Sequence, residues 1–522
     1  MLVLEFIRVS LISLAYFGGY FASALRPNGR SGALRQAIWL RSCCVRLGPV
    51  YVKIGQIIAT RSDLIPNEWV VTLRTLQDAA PHMTTAETRK TIAKELKRPV
   101  GEIFREFSLE PIASEGMGPG DARFGLLETN LFELAPLVAA CPARLVEFER
   151  LFTALRSAVK AQSEHWDMNS DEARQTVYRL IYGGRAALEE ALLQAGNTGP
   201  PAGSAGPEEG SRTPASRILG VTVHSGDILV SRGGAPTSAL IARGNDYPGN
   251  FSHIALLHVD EKSGAVSVIE AHIERGVVVS SLEEYLADKK LRVLVLRLRS
   301  DLPQVAADPL LPHAAASRAL REARARHIPY DFAMDYHDHS RQFCSEVAAA
   351  AYERSGVRLW MGISRLSARG VRSWLGAFGV KEFETQEPSD LEYDPQLRVV
   401  AELRDRETLF QDHADNAVTD VLLEEAEAGG SLGYRRLLLP SARVAKGYSF
   451  LLNELGRVGP VPEGMDAVSA LRHRAFSERH AAIRTRLLTL ADAFKRKRGY
   501  TAPYWELVNL ARQAKRDLEI AR

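Results

Sequence analysis

Cysteine is scarce in this sequence, with four residues in a chain of 522. They are Cys43, Cys44, Cys141 and Cys344, and none of their spacings is that of a metal-binding pair. Adjacent cysteines do not favour a bond to each other, so we expect no disulfide framework, which fits a reducing compartment. The formal net charge is only +3 at pH 7, so the overall charge gives no argument for a nucleic-acid partner.

The length predicts two to four domains, and the composition, 46% hydrophobic and 25% charged, is that of a globular protein. Changes in composition and periodicity along the chain define the segments that we predict. They are an apolar helix at 1–25, a helical segment at 26–115, a helical region at 120–195, a Gly/Pro/Ser-rich linker at 196–216, an α+β domain at 217–405 and a helical region at 406–522.

The N-terminus carries an uncharged apolar stretch from Val9 to Leu25, at the short limit of a membrane span. Arginines dominate the residues that follow it, and positive charge favours the cytoplasmic side. We therefore predict a membrane-associated helix with the bulk of the chain in the cytoplasm. Two alternatives stay open: an exported, periplasmic protein, since Ala22–Ala24 is similar to a signal-peptide cleavage site, or a buried or interfacial helix.

Two basic or polar clusters have simpler explanations than binding sites. The cluster Lys495–Arg498 is typical of a solvated helix end, because four charges are few for a nucleic-acid or lipid site. His337 and His339 lie among aspartates in "DYHDHS", but loop histidines alone do not form a coordination shell. We therefore predict no metal and no cofactor.

Cys344 begins an alanine-rich segment with helical character, "CSEVAAAAYERSG". It is either an inert packed residue or a nucleophile, and a nucleophile needs a base and a group that orients the base. The predicted strand "SHIALLHV" offers His253, and the next strand, "VSVIEAHI", offers Glu270 and His272 on one face. We expect His253 and the helix start to favour the thiolate of Cys344 and so to lower its pKa.

Five ordered blocks carry a family resemblance: "HSGDILVSR", "SHIALL", "VIEA" with "GVVVSSLEEYL", "PYDF" and "FCSEV". Over residues of about 217–385 the chain resembles the permuted papain-like hydrolases, the YiiX-type branch of the NlpC/P60 superfamily. The cysteine helix follows the histidine strand, as in the permuted branch. The resemblance implies an α+β fold with an antiparallel sheet and a cysteine helix, here flanked by helical regions.

The resemblance also implies roles for individual residues. Cys344 is the nucleophile, His253 the base and Glu270 the third polar residue, with His272 a competing candidate on the same strand face.

Further residues match the other blocks of the family. His224 and Asp227 match the family's HxGD block, either as part of the substrate cleft or as a turn that starts the sheet. Tyr330 and Asp331 match "PYDF" and are expected to line the cleft. We expect Glu346 to stabilise the first helical turn as a negative charge, and His258, on the opposite strand face, to be structural.

A second resemblance covers residues of about 35–114, which are similar to the N-terminal extension of the UbiB/ADCK (ABC1) atypical kinases. Lys53, Gly55 and Gln56 match its KxGQ motif. No later segment supplies an Asp-Phe-Gly or catalytic-loop equivalent, so we expect no kinase activity. The segment is either a functional fusion or the result of a misplaced start codon.

The sequence thus predicts a cysteine hydrolase of amide, peptide or ester bonds, working through a thioester. The alternatives are acyl transfer between lipids, as in the related lecithin:retinol acyltransferases, and an inactive binding module. The partners expected are a lipid, peptide or other amide or ester substrate and, through the N-terminal helix, a membrane. We also expect a fragment that begins near Val221 to keep hydrolysis.

Overall fold

The structure, a computed structural model, describes residues 36–44, 69, 72–73, 117–196, 204–206, 209–454 and 457–520. The chain forms two compact units, Met1–Phe124 and Gly125–Arg522. In the first unit, residues 36–44 are helical. The predicted helix at 1–25 and the KxGQ motif lie outside the described residues. No helix in the described ranges is both long and apolar enough to cross a membrane.

Between residues 117 and 196, four α-helices precede the sheet: α1 Ala122–Ala140, α2 Leu145–Ser163, α3 Asp171–Val177 and α4 Gly183–Gln194. A π-helical turn, Tyr178–Tyr182, joins α3 to α4. The Ser170 side chain accepts a hydrogen bond from Ala173 N, as expected of a helix N-cap. Phe148 and Phe152 pack with Leu188 in a separate hydrophobic cluster of these helices.

Seven antiparallel strands form the central sheet, in the order β1-β11-β8-β4-β5-β6-β7. They are β1 Ser204–Ala205, β4 Ile228–Gly233, β5 His253–Val259, β6 Val266–His272, β7 Gly276–Ser281, β8 Lys290–Leu298 and β11 Leu397–Arg404. Two further pairs of strands occur in the described residues: β2 Ala215–Ile218 with β3 Val221–His224, and β9 Ser364–Arg365 with β10 Glu384–Thr385. The predicted α+β fold with an antiparallel sheet is confirmed.

The predicted linker contributes to the sheet. Its residues 204–205 form the edge strand β1, in which Ser204 pairs with Glu402 and Ala205 with Ala401 of β11. The last residues of the predicted linker lie in the β2–β3 hairpin. A Gly/Pro/Ser-rich composition therefore did not prevent pairing here, because the partner strand supplies the hydrogen bonds.

Ten α-helices follow β4 within the described ranges. They are α5 Pro236–Arg243, α6 Leu282–Ala287, α7 Pro303–Ala307, α8 Leu311–Ala325, α9 Cys344–Glu353, α10 Arg369–Phe378, α11 Arg406–Glu427, α12 Leu439–Glu454, α13 Ala467–Arg498 and α14 Tyr504–Ile520. The helical C-terminal region is thereby confirmed. The last turn of α13 contains Lys495–Arg498 and is followed by Gly499, whose backbone is left-handed. A second core, which includes Trp374 and Phe476, joins α10, α11, α13 and α14.

The two faces of the sheet bury different side chains, as the two-residue period of a strand requires. On one face Ile254 and Leu256 of β5 belong to the same cluster as Val347 and Ala348 of α9. On the other face Ala255 belongs to a cluster with Val268. The start of β5 therefore lies beside the helix that carries Cys344.

A buried network of charges joins the helices before the sheet to β11. Arg156 Nη1 of α2 lies 3.1 Å from Glu402 Oε2, and Arg185 Nε of α4 lies 3.0 Å from Glu402 Oε1. Arg404 Nη1 lies 2.9 Å from the same Oε1. In the same network, Glu189 Oε1 of α4 lies 2.5 Å from Arg292 Nη1 of β8. These helices are thus held to the sheet by charges that water does not reach.

Candidate active site

His253 and Glu270 form the best-defined polar pair of the site. The register that pairs Ala255 of β5 with Glu270 of β6 brings the two side chains to the same face. His253 Nε2 lies 2.8 Å from Glu270 Oε2, and Ser280 Oγ donates to Oε1 at 2.8 Å. Burial opposes ionisation of Glu270, but the imidazoles of His253 and His272 hold its pKa well below the usual range. An ionised Glu270 accepts the Nε2–H of His253, which leaves Nδ1 without a proton.

His272 is the competing third residue, and it contacts the same carboxylate. Its Nε2 lies 3.2 Å from Glu270 Oε1, without the geometry of a hydrogen bond. The rings of His253 and His272 are 5.9 Å apart and nearly perpendicular. His272 therefore contributes to the charge environment of Glu270, whereas the hydrogen bond that orients His253 comes from Glu270.

The same three residues could hold a cation. His253, Glu270 and His272 offer ligand atoms within 4.8 Å of one another, and no other such group occurs in the described ranges. Two imidazoles and a carboxylate are a donor set that suits Zn²⁺. A metal on His253 Nε2 would remove the hydrogen bond to Glu270, so metal binding and the orientation of His253 by Glu270 exclude each other.

Cys344 lies at the N-terminus of α9, against the start of β5. Its Sγ lies 4.0 Å from the backbone oxygen of Ser252, and the backbone N–H of Ile254 donates toward it. These two residues flank His253, so the sulfur lies next to the backbone of the predicted base. The alternation of β5 puts the His253 side chain on the sheet face of Ala255 and Glu270, whereas α9 packs on the face of Ile254. Among the described residues, no hydrogen bond joins the thiol directly to the imidazole.

The charge state of the thiol differs from the sequence-based expectation. Cys344 is only 5% exposed, and burial raises the pKa of its thiol to about 12 despite the donors at Ile254 and Ser345. The expectation of a lowered pKa is therefore wrong for this resting structure, because desolvation outweighs the helix start. Burial also lowers the pKa of His253, although Glu270 opposes this. The resting site thus combines a neutral thiol with a neutral imidazole.

This charge state predicts slow alkylation of Cys344. In the native protein near neutral pH, we expect iodoacetamide to modify exposed Cys141 faster than Cys344, since only an accessible thiolate reacts. Peptide mapping by mass spectrometry measures both rates, and a denatured sample, in which the rates should converge, is the control. Faster modification of native Cys344 would contradict a buried, neutral thiol.

Cys344 opens into a small apolar cavity of about 90 Å³. Tyr330 and Asp331 line it, as predicted for the cleft, and Glu387 supplies a further carboxyl group. The remaining wall is mostly apolar and comes from several helices and loops, including Leu240, Ile241, Phe332, Phe343, Leu375, Phe378 and Met465. The thiol therefore faces a space suited to an aliphatic or aromatic group.

Two of the predicted cleft residues lie elsewhere. Asp227 is buried and binds Arg297 through two contacts of 2.8 Å, and it accepts a hydrogen bond from His224 N. The Asp227 side of this turn borders another cavity, of about 500 Å³, whose lining does not include Cys344. Gly226 has a φ of 97° and lies against Pro312, which fits glycine alone. This geometry supports the alternative that the HxGD block is a turn that starts the sheet.

Glu346 and His339 lie beside the cysteine helix. Glu346 accepts a hydrogen bond from Phe343 N, which caps the first turn of α9. The expectation that it does so as a charged group is wrong, because burial raises its pKa to about 9. His339 contacts Glu346 and Glu353, at 3.1 and 3.2 Å, so helix glutamates occupy both nitrogens of that loop histidine. His258 contacts Ser317, in keeping with a structural role.

Comparison with known proteins gives a family match for the part of the chain that contains the sheet and α9. Residues 222–401 match the family described as permuted papain-like amidase enzymes, YaeF/YiiX, C92 family. A crystal structure of yiiX from Escherichia coli O157:H7, titled a metalloprotein, is 20% identical, with a TM-score of 0.27, and covers 34% of this chain and 97% of that one.

The N-terminal part matches other proteins. A probable protein kinase UbiB of Marinobacter nauticus is 47% identical over 75 residues, 14% of each chain. An uncharacterised Synechocystis protein is 38% identical over 104 residues, 20% of this chain and 17% of that one. The chain thus spans less than a fifth of the length of these curated relatives.

Both resemblances found in the sequence are therefore confirmed. The family match supports a hydrolase-type function for the region that contains the sheet and α9. Residues 222–401 match the permuted papain-like amidases of the YaeF/YiiX type, and the N-terminal part is similar to UbiB-type kinases.

Proposed function

We propose that the chain is a cysteine hydrolase that cleaves an amide, peptide or ester bond through Cys344, His253 and Glu270. The observation that carries the proposal is the 2.8 Å hydrogen bond between His253 Nε2 and Glu270, at the strand start against which the sulfur of Cys344 lies. A cysteine nucleophile requires a base and a group that orients this base, and the two residues supply both.

The reaction begins from the neutral pair. No hydrogen bond among the described residues joins Sγ to Nδ1, so the proposed reaction requires the two atoms to approach each other when substrate binds. As Sγ attacks the carbonyl carbon, its proton passes to His253 Nδ1, a C–S bond forms and the carbonyl electron pair moves to oxygen. Nε2–H stays on His253 and donates to Glu270, which stabilises the imidazolium. When the intermediate collapses, the bond to the leaving oxygen or nitrogen breaks and that atom takes the proton from Nδ1. Water then attacks the thioester with His253 again as the base. The C–S bond breaks, and the imidazolium returns the proton to Sγ as the carboxylic acid product leaves.

Backbone donors at the helix start support the developing oxyanion. The amide of Ser345 lies in the first turn of α9, where N–H groups have no partner within the helix. Such donors stabilise negative charge on the carbonyl oxygen of a tetrahedral intermediate. The position of Cys344 at the first residue of α9 therefore serves the intermediate, even though it does not ionise the resting thiol.

The apolar cavity favours a second candidate, acyl transfer. A thioester on Cys344 with an aliphatic group in that cavity would be resolved by a lipid hydroxyl or amine in place of water. The chemistry of Cys344 and His253 is the same in both reactions, so the acceptor distinguishes them. An inactive binding module is the third alternative, and loss of turnover on substitution of Cys344 would exclude it.

The test is turnover of p-nitrophenyl esters and matched anilides with acyl groups of increasing length. We expect Cys344→Ala to abolish turnover, by roughly 10³-fold or more, because the covalent step is lost. Cys141→Ala is the matched control and should match the wild type, because Cys141 is exposed at the start of a different helix. Turnover that survives in Cys344→Ala would overturn the proposed function.

A further inference from the structure

Glu387 has a buried carboxyl oxygen without a hydrogen-bond partner among the described residues, and its side chain lines the cavity of Cys344. The residue is only 4% exposed, and the oxygen without a partner is Oε2. A buried carboxyl oxygen without a partner costs free energy, so a group in this position calls for an explanation.

Hydrogen bonds hold the backbone of Glu387 in place. Glu387 N donates to Ser364 Oγ at 2.9 Å, and Glu387 O accepts from Trp360 Nε1 at 3.0 Å. Glu387 directly precedes a short 3₁₀ helix, Pro388–Tyr393, which is wholly buried. The carboxyl group therefore has little freedom to leave the cavity for solvent.

We propose that Glu387 is a neutral carboxylic acid that donates a hydrogen bond to the substrate carbonyl oxygen attacked by Cys344. This inference rests on the proposed function and names a further residue of the same site. The cavity wall is mostly apolar, so a donor there acts in a medium of low dielectric, where it is strongest. A carboxylic acid kept neutral in an apolar site can stabilise an oxyanion in this way.

The surrounding charges agree with a neutral form. Burial and then the negative charge of Asp390 raise the pKa of Glu387 to about 8. Asp390 itself is bound to Arg174 and Ser364. The guanidinium of Arg174 therefore already has a carboxylate partner other than Glu387. The other titratable groups that line the cavity are Tyr330, Asp331, Cys344 and His473.

The neutral form also suits the nucleophile. A charge on Glu387 would raise the pKa of the Cys344 thiol and would repel an oxyanion on the carbonyl. A protonated Glu387 has neither effect and contributes a donor. The carboxyl group should therefore assist acylation below its pKa and hinder acylation above it.

The test compares Glu387→Gln, which keeps a donor of similar shape, with Glu387→Ala. The readout is kcat/KM for a p-nitrophenyl ester from about pH 6 to about pH 10. We expect Glu387→Ala to lose about 100-fold near neutral pH, as when an oxyanion donor is removed. Glu387→Gln should stay within about tenfold of the wild type. The wild type should lose rate as pH rises through about 8, and Glu387→Gln should not.

Controls separate the outcomes. Glu384→Gln, at an exposed position on β10, should keep the wild-type profile, and thermal unfolding checks that each variant folds. A difference infrared spectrum of wild type against Glu387→Gln near pH 7 should contain the C=O band of a protonated acid, whatever the reaction rates of the two proteins.

The inference is overturned if Glu387→Gln is as inactive as Glu387→Ala, which indicates that Glu387 pairs as a carboxylate with a cationic substrate group. It is also overturned if Glu387→Ala is as active as the wild type, or if the loss near pH 8 persists in Glu387→Gln. Activity that survives in Cys344→Ala would overturn the proposed function instead.

Discussion

Glu402→Ala is expected to destabilise the second unit by about 3–5 kcal/mol, the usual cost of breaking a buried ion pair. Glu402 is 1% exposed and neutralises Arg156, Arg185 and Arg404. Removing its carboxylate would leave these guanidinium groups buried with too few negative charges. A lowered urea midpoint of the full chain, followed by circular dichroism, measures the effect.

The matched control is Glu478→Ala on α13. Glu478 forms an exposed ion pair with Arg474 at 2.7 Å, and exposed pairs contribute little to stability. Its midpoint should stay close to that of the wild type. Equal midpoints for Glu402→Ala and Glu478→Ala would contradict the conclusion that the charge network holds α2 and α4 to the sheet.

The same network changes the expectation for a shortened chain. A fragment that begins near Val221 lacks Arg156, Arg185 and Glu189, and also the edge strand β1. It would leave Glu402 and Arg292 partly unpaired in the core. The structure therefore argues against the sequence-based expectation that such a fragment keeps hydrolysis.

Glu270→Gln is expected to lower turnover by roughly 10²–10⁴-fold. The glutamine amide can donate to His253 Nε2, which would place the proton on Nδ1, where it blocks uptake of the thiol proton. His272→Ala should keep most of the turnover, because His272 lacks a hydrogen bond with proper geometry to Glu270. The measurement is kcat/KM of the two variants on the same ester.

The reverse order of activities would assign the third role to His272. A loss of folding in Glu270→Gln is distinguished by thermal unfolding of the same samples. The two variants change neighbouring positions of one strand face, so each serves as a control for local disturbance of β6 in the other.

Much of the sheet could be predicted from the sequence. The β-branched runs around Ile228, His253, Val266 and Lys290 became β4, β5, β6 and β8, since alternating side chains must be buried on two faces. The alternation also placed Glu270 and His272 on one face with His253, and the family blocks supplied Cys344. Local sequence patterns are enough to predict the position of a site residue when that position follows from the strand that carries the residue.

Other parts of the site depend on contacts between distant segments. Arg156 and Arg185 occur in helices whose sequences are compatible with solvated charges, and only their burial against β11 reveals the network. Glu387 lies in an irregular segment, whose sequence has no helical or strand periodicity of apolar residues. The pKa of Cys344 depends on how completely its neighbours exclude water, which sequence spacing does not encode. The sole signal for Glu387 is a run of acids, "EPSDLEYD", between two strands.

The central claim is that Cys344 forms a thioester with the substrate acyl group. The most direct measurement is rapid acid quenching during turnover of activated acyl and peptidyl esters, followed by mass spectrometry of the intact chain and its peptides. We expect an acyl adduct on Cys344 that hydroxylamine removes and that is absent from Cys344→Ala. A peptidyl adduct would favour an amidase, and a long acyl adduct would favour an acyltransferase. An adduct on Cys141 alone, or turnover without any adduct on Cys344, would contradict the claim.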